Sequence, residues 1–256
     1  MLVTTTIDPT TSLIQQAERL ADEFGWTSVA RDRHSLAALM DHHQVSRIVV
    51  AGQQGLRVID EQDQAYFFHP SMAKIRVKRL LAGERDTMLT AANVRPGDVV
   101  IDATMGLASD AIVFAHAVGT TGRVTALESE QLPYLLAREG LQCYTCRMAQ
   151  LEQAMRSIVP VWADHLDYLR KQPDDSADIV YFDPMFRRSV MSSAIEPLRE
   201  LANPHALQPE TVTEAIRVAR RMVVMKEHNR SGEFERLGFQ PLATGHSKIT
   251  YGVIAL

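Results

Sequence analysis

From Arg95 onward the chain alternates between short apolar runs and amphipathic stretches, and this rhythm constrains the fold more than any other feature. DVVIDA, RVTALE, VPVWAD, DIVYFD and RMVVMKE are rich in β-branched and aromatic residues; between them lie ASDAIVFAHAV, PYLLAREGLQCYTCRMAQLEQAMRSI and TVTEAIRVAR, with helical spacing. Strands alternating with helices predict a parallel sheet, because each crossover helix must pack on a face of that sheet. The tail departs from the rhythm. FERLGFQPLATGHSKITYGVIAL holds two strand-like runs around a glycine-containing turn, which predicts a closing antiparallel hairpin. The expected fold class is α/β, a doubly wound, mostly parallel seven-stranded sheet over residues 95–256.

Upstream the pattern differs. SLIQQAERLADEF spaces Leu13, Ile14, Ala17, Leu20, Ala21 and Phe24 on one helix face, with Thr10 or Thr11 placed to cap it, and a short helix is expected at 35–43. SRIVVAG, GLRVIDE and AYFFHP, separated by QQG and EQDQ, predict a small meander. Residues 1–70 thus form a small α/β lobe, and 71–94 a basic helical connector. Within it SMAKIRVKRLLAGER carries Lys74, Arg76, Lys78, Arg79 and Arg85 against Glu84 alone. The formal charge of -4 gives the whole chain no general attraction for nucleic acid, so a polyanionic partner must be met by a local patch of this kind. A solvated helix face is the plainer reading of the same charges.

Other classes are disfavoured. No run approaches the roughly 20 apolar residues of a membrane span, and MLVTTTIDPTTS lacks the basic and apolar regions of a signal peptide, so no membrane partner and a cytoplasmic location are expected. Cys143 and Cys146 have the spacing of a redox or zinc pair, but they sit in a helical pattern without a second ligand pair; no metal is expected.

In an open α/β sheet the ligand lies beyond the carboxyl ends of the strands, where strand order reverses. The first core strand ends in Asp102, followed by ATMGLASDA, in which Gly106, Ala108 and Ala111 form a loosened dinucleotide-type turn. The second ends in Glu128, suited to ribose hydroxyls. The third offers Asp164 and His165, placed to meet an adenine amino group, and the fourth ends in Asp183. A carboxylate at Asp102 repels a pyrophosphate but suits a ligand carrying an ammonium and a sulfonium, which favours S-adenosylmethionine over a nicotinamide cofactor.

VVIDATMGLASDAIVFA, the acid in TALESE, VWADHLDYL and YFDPMF, in this order and spacing, resemble the ribosomal RNA small-subunit guanine-N2 methyltransferase family, within the class I methyltransferases that use S-adenosylmethionine. RVKRLLAGERDTML and RMVVMKE resemble that family's flanking segments. The resemblance implies cofactor contacts at Ser109, Asp110, Glu128, Ser129, Asp164, His165 and Asp183. It also implies an RNA partner, small-subunit rRNA or a ribosomal assembly particle. Relatives usually continue D-P-M-F with proline, where Arg187 stands here.

D-P-M-F also resembles the D/N-P-P-Y/F motif of methyltransferases acting on exocyclic amines of bases. The lone pair of an aryl amine is delocalised into its ring, so the enzyme must hold the amine hydrogens with acceptors and aim the lone pair at the methyl group. Asp183 and the Pro184 carbonyl are the expected acceptors. Phe186 is the expected stacking face for the base and Met185 its padding; Arg187 and Arg188 are placed for a phosphate. Other targets stay open: another nucleobase, DNA or a small amine, or a non-catalytic RNA-binding or assembly module. The oligomeric state is not specified by any of these features.

Overall fold

Four consecutive buried residues, Leu2–Thr5, form β1, an interior strand of a five-stranded sheet. Helix α1 (Thr11–Phe24) follows, burying Leu13, Ala17, Leu20 and Ala21, and stops at Gly25, whose φ of 66° is the left-handed conformation that glycine adopts without penalty. Thr10 occupies the N-cap, but its hydroxyl meets Ser12 Oγ rather than a backbone amide. Next come β2 (Thr27–Ser28), α2 (Leu36–His42), β3 (Arg47–Gly52), β4 (Gly55–Asp60) and β5 (Ala65–Phe67), giving the order β2-β1-β3-β4-β5. The last three strands are the expected antiparallel meander; β1 pairs in parallel with β2 and β3. Leu2, Ile48, Val50 and Ile59 close the core with Leu39 and Met40 of α2.

This computed structural model describes residues 1–184, 201, 203, 205–242 and 248–256. It consists of two compact units, Met1–His69 with Gln142–Tyr144, and Pro70–Leu141 with Thr145–Leu256. The segment expected as a separate connector is part of the second unit, as α3 (Ser71–Leu81) and α4 (Thr87–Ala91).

The second unit holds β6 (Val99–Asp102), α5 (Ser109–Val118), β7 (Arg123–Glu128), α6 (Gln131–Cys143), α7 (Ala149–Ser157), β8 (Ile158–Trp162), α8 (His165–Leu169), β9 (Ala177–Phe182), α9 (Pro209–Val218), β10 (Ala219–His228), α10 (Glu233–Leu237), β11 (Gln240–Pro241) and β12 (Ile249–Ala255). Its seven-stranded sheet runs β11-β12-β10-β9-β6-β7-β8, parallel from β10 to β8 and antiparallel at β12 and β11. Ile101, Leu127, Val180, Phe182, Val223 and Met225 pack against Val212 and Ala215 of α9 and Phe234 of α10. Another cluster forms where Phe114 of α5 meets Tyr181 edge-on at 5.1 Å. α5 is buried along almost its whole length, which accounts for its nearly unbroken apolar sequence. Gly252 lets β12 close over α10, since a Cβ there would collide with the Phe234 ring.

The long helical run after β7 is interrupted. α6 ends at Cys143, and Tyr144 leaves the helix to set its ring edge-on to Phe68 and His69, at 6.0 and 5.7 Å. Cys146 therefore lies in the irregular segment between α6 and α7, not in a helix, with Sγ 3.7 Å from the Met148 carbonyl. No group of His, Cys, Asp and Glu suited to a metal exists among the described residues. Nor is any helix among them long and apolar enough to cross a membrane.

Candidate active site

Strand order reverses between β6 and β9, and register aligns their ends: Asp102 pairs with Tyr181, and Phe182 with Met225 of β10. Asp102, Asp183 and Lys226 therefore meet at one rim of the sheet, the place where a doubly wound fold binds its ligand.

Asp102 is almost fully buried. Its Oδ1 accepts the Thr104 amide at 3.1 Å, while Oδ2 has no partner among the described residues. Burial, reinforced by the neighbouring Asp110, pushes its pKa well above the usual carboxylate range. A buried carboxylate oxygen without a donor is what a site for a cationic ligand provides, and it suits the ammonium and sulfonium of S-adenosylmethionine. The turn that follows passes through left-handed conformations at Gly106 (φ 52°) and at Ala108 (φ 62°), which an alanine adopts at a cost. A Cβ on Gly106 would meet nothing within 4 Å, so this glycine is required by its φ and borders open space. Ala108 offers no side-chain cap to α5, so the helix presents its first amides, starting at Ser109, toward the rim.

Glu128 closes the turn from the side. Oε2 accepts the Gly106 amide and Oε1 the Glu130 amide, both at 2.9 Å, and burial raises its pKa. Each oxygen keeps a second lone pair for a hydroxyl donor. Ser129 Oγ accepts from Asn203 Nδ2 at 3.1 Å, and its carbonyl accepts from the Trp162 indole at 3.0 Å. Trp162, 49% exposed, stacks at 6.2 Å on Tyr134 beside Ser129. Asp164 caps α8, with Oδ1 accepting the Leu166 and Asp167 amides. His165 packs edge-on to Phe182, and burial lowers its pKa.

Asp183 follows β9. Its amide donates to Thr104 Oγ1 at 2.5 Å, and its Oδ2 lies 2.7 Å from Lys226 Nζ. Burial raises its pKa; Lys226 opposes this and Asp110 adds to it, leaving the group pushed up to about 6. Pro184 is the last described residue of the motif. Met185, Phe186, Arg187 and Arg188 lie outside the described residues.

Two expected site residues have side chains engaged within the protein. The resemblance implies a cofactor contact for Asp110, but its Oδ1 is taken by Arg76 and its Oδ2 by Tyr181 Oη at 2.7 Å and Lys226 at 3.3 Å. Although burial alone would raise its pKa, Lys226 and Arg76 hold it well below the usual carboxylate range. Arg76, expected on the exposed basic face, is also inside. It clamps Asp86 through Nε at 2.7 Å and Nη2 at 2.9 Å, with Nη1 on Asp110, and its side chain is 17% exposed. Lys74, Lys78, Arg79 and Arg85 are exposed. Thr104, Lys226, Tyr181, Trp162 and Asn203 were not among the expected site residues. Of these, Lys226 left a local signal, an ammonium at the end of the buried run Val223–Met225 that cannot be buried without a partner.

The sheet order and the site at its reversal point define a class I methyltransferase fold, and S-adenosylmethionine is its cofactor. The chain matches the family described as "Putative SAM-dependent methyltransferase" over residues 31–240, and belongs to it. It is 37% identical over 254 residues to the uncharacterized protein YpiP of Bacillus subtilis, across 99% of this chain and 98% of that one. It is 27% identical over 191 residues to ribosomal RNA small subunit methyltransferase J of Psychrobacter cryohalolentis, covering 65% of this chain and 62% of the relative. The protein of the same name in Thioalkalivibrio sulfidiphilus is 31% identical over 137 residues, 52% of each chain. This chain thus spans only about half to three fifths of those two relatives. A SAM-dependent methyltransferase of Neisseria gonorrhoeae superposes with a TM-score of 0.66 at 17% identity, over 100% of this chain and 96% of the other, and shares the fold.

Proposed function

We propose that this methyltransferase acts on the exocyclic N2 amine of a guanine in small-subunit rRNA. The observation that carries the reading is the placement of Asp183 and Pro184 at the sheet reversal, with the Asp183 backbone tied to Thr104 of the turn that begins at Asp102. Two acceptors, the Asp183 carboxylate and the Pro184 carbonyl, suit an amine whose two hydrogens must be held while its lone pair points at the methyl carbon. When bound, the cofactor supplies an electrophilic methyl group. The amine nitrogen would take that methyl group, leaving the demethylated thioether, and would then shed its extra proton to water or to Asp183. A strong base is not needed, because the amine becomes acidic once it carries the methyl group. Phe186 is assigned the stacking face, and Met185 the ring's edge, on the chemistry of their side chains.

RNA capture is assigned to the exposed charges Lys74, Lys78, Arg79 and Arg85, which lie on and just after α3 beside exposed Met72 and Ile75. Relatives named as rRNA methyltransferases support this choice of partner over DNA or a small amine. Comparing modified nucleosides in rRNA from a deletion strain and its parent tests the substrate. Loss of one methylated guanine, restored by the purified protein, is expected; an unchanged profile at every guanine removes the assignment.

A further inference from the structure

Lys226 stands two residues before the end of β10, and the residues preceding it, Val223, Val224 and Met225, are fully buried. An ammonium carried to such a place must find counter-charges there. It finds two, Asp183 Oδ2 at 2.7 Å and Asp110 Oδ2 at 3.3 Å, and its side chain is 23% exposed. The other groups around it are engaged elsewhere, or burial disfavours their charged forms. Tyr251 of β12 is its cross-strand neighbour, and burial together with Asp110 pushes that phenol upward. Tyr181 of β9 donates to Asp110, Arg76 of α3 is shared between Asp86 and Asp110, and Asp102 of β6 sits nearby with its pKa raised. Among the described residues, Lys226 is the one cation in contact with the Asp183 carboxylate.

We propose, on the amine-acceptor reading above, that Lys226 is a positioning residue for Asp183: anchored by Asp110, its ammonium pins Oδ2 and keeps the group ionised, leaving Oδ1 to accept an amine hydrogen. The protonation state matters because a neutral carboxyl group would offer a hydrogen to the amine lone pair, the reverse of what methyl transfer requires. Burial and Asp110 both drive Asp183 toward that neutral form, and Lys226 opposes them. Lys226 is not itself a base. Although burial would lower its pKa, Asp110 and Asp183 hold its proton and raise it above the ordinary lysine value. It therefore acts through Asp183 rather than on the substrate.

The test is a titration of the Asp183 side-chain carboxyl by ¹³C NMR in the free full-length protein, which needs no substrate. Wild type should show a midpoint near the about 6 set by its surroundings. Lys226→Met should move it upward by about one unit or more, as expected on removing an adjacent opposite charge, and Lys226→Arg should keep it near the wild-type position. In methyl-transfer assays Lys226→Met should lose turnover more at mildly acidic than at alkaline pH, with S-adenosylhomocysteine affinity within about two-fold. If Lys226→Met fails to fold, Lys226→Gln takes its place with the same expected shift. An unmoved midpoint in the folded variant overturns the inference. Mass spectrometry of the wild-type product separates this from the reading it rests on: methylation at an oxygen or carbon would sink the amine assignment whatever the titration shows, whereas a methylated amine with an unmoved midpoint sinks the role of Lys226 alone.

Discussion

Thr104 Oγ1 accepts the backbone amide of Asp183 at 2.5 Å across 79 residues of sequence, so the turn beyond β6 holds the start of the acceptor motif. Thr104→Val keeps the shape and removes the acceptor, leaving that amide unsatisfied at a cost of about 1–3 kcal/mol. Single-turnover assays should show roughly ten-fold slower transfer, the scale of a misplaced reacting group, with S-adenosylhomocysteine affinity within about two-fold. Equal rates for the valine and wild-type proteins would show that the turn and the motif act independently.

Asp183→Ala should leave cofactor binding within a few-fold and lower turnover by roughly 100-fold or more, as expected when a positioned acceptor is lost. Its raised pKa fixes the direction of the pH effect. The carboxylate is populated above about 6, so wild-type turnover should fall as pH drops through that value. The same shift means that the native state holds this proton more tightly than the unfolded chain, so ionising Asp183 costs stability above about 6 rather than adding it. An alanine variant that retains the acidic limb would assign it to another group.

Arg76 and its exposed neighbours should fail differently. Arg76→Ala leaves Asp110 and Asp86 without their shared guanidinium, and breaking one partner of a buried pair costs about 3–5 kcal/mol, to be read as a lower midpoint in urea. Asp110, with its depressed pKa, contributes stability above its unfolded value of about 4 and loses it as pH falls through its lower folded value; Arg76→Ala should bring that acid loss to higher pH. Neutralising Lys74, Lys78 and Arg79 together should leave the urea midpoint nearly unchanged and flatten the salt dependence of RNA binding by about 0.7–0.9 per lost phosphate contact. A full salt slope in the triple variant would place RNA docking elsewhere.

Glu128→Ala should weaken S-adenosylhomocysteine binding by about 1–3 kcal/mol in calorimetry, because it removes a charged acceptor that also pins the Gly106 and Glu130 amides. Glu128→Gln preserves one acceptor oxygen and should lose less. Unchanged affinity in both variants would move the ribose contact away from β7.

The parallel core and its strand-end acids were legible because buried β-branched runs and the helices between them leave a local pattern. β1 was not, since LVTT is short and buried on both faces and so lacks alternation. Arg76 was grouped with the exposed charges by counting charge rather than face. Its position three after the buried Ala73 and one before the buried Val77 places it toward the inner side of α3. The partners of Asp110 and Asp183 leave no local mark, because Lys226 is 116 and 43 residues away from them.

That separation has a consequence for folding kinetics. The charges that complete the rim are joined only when β10 docks on β9, closing loops that cost entropy before any contact rewards them. As the chain leaves the ribosome, Asp110 and Asp183 emerge long before Lys226, so the acceptor lacks its ammonium until the last parallel strand is in place. Competence for methyl transfer is thereby a late event: on refolding, activity should return after the helical circular dichroism signal, with the docking of β10 setting the lag.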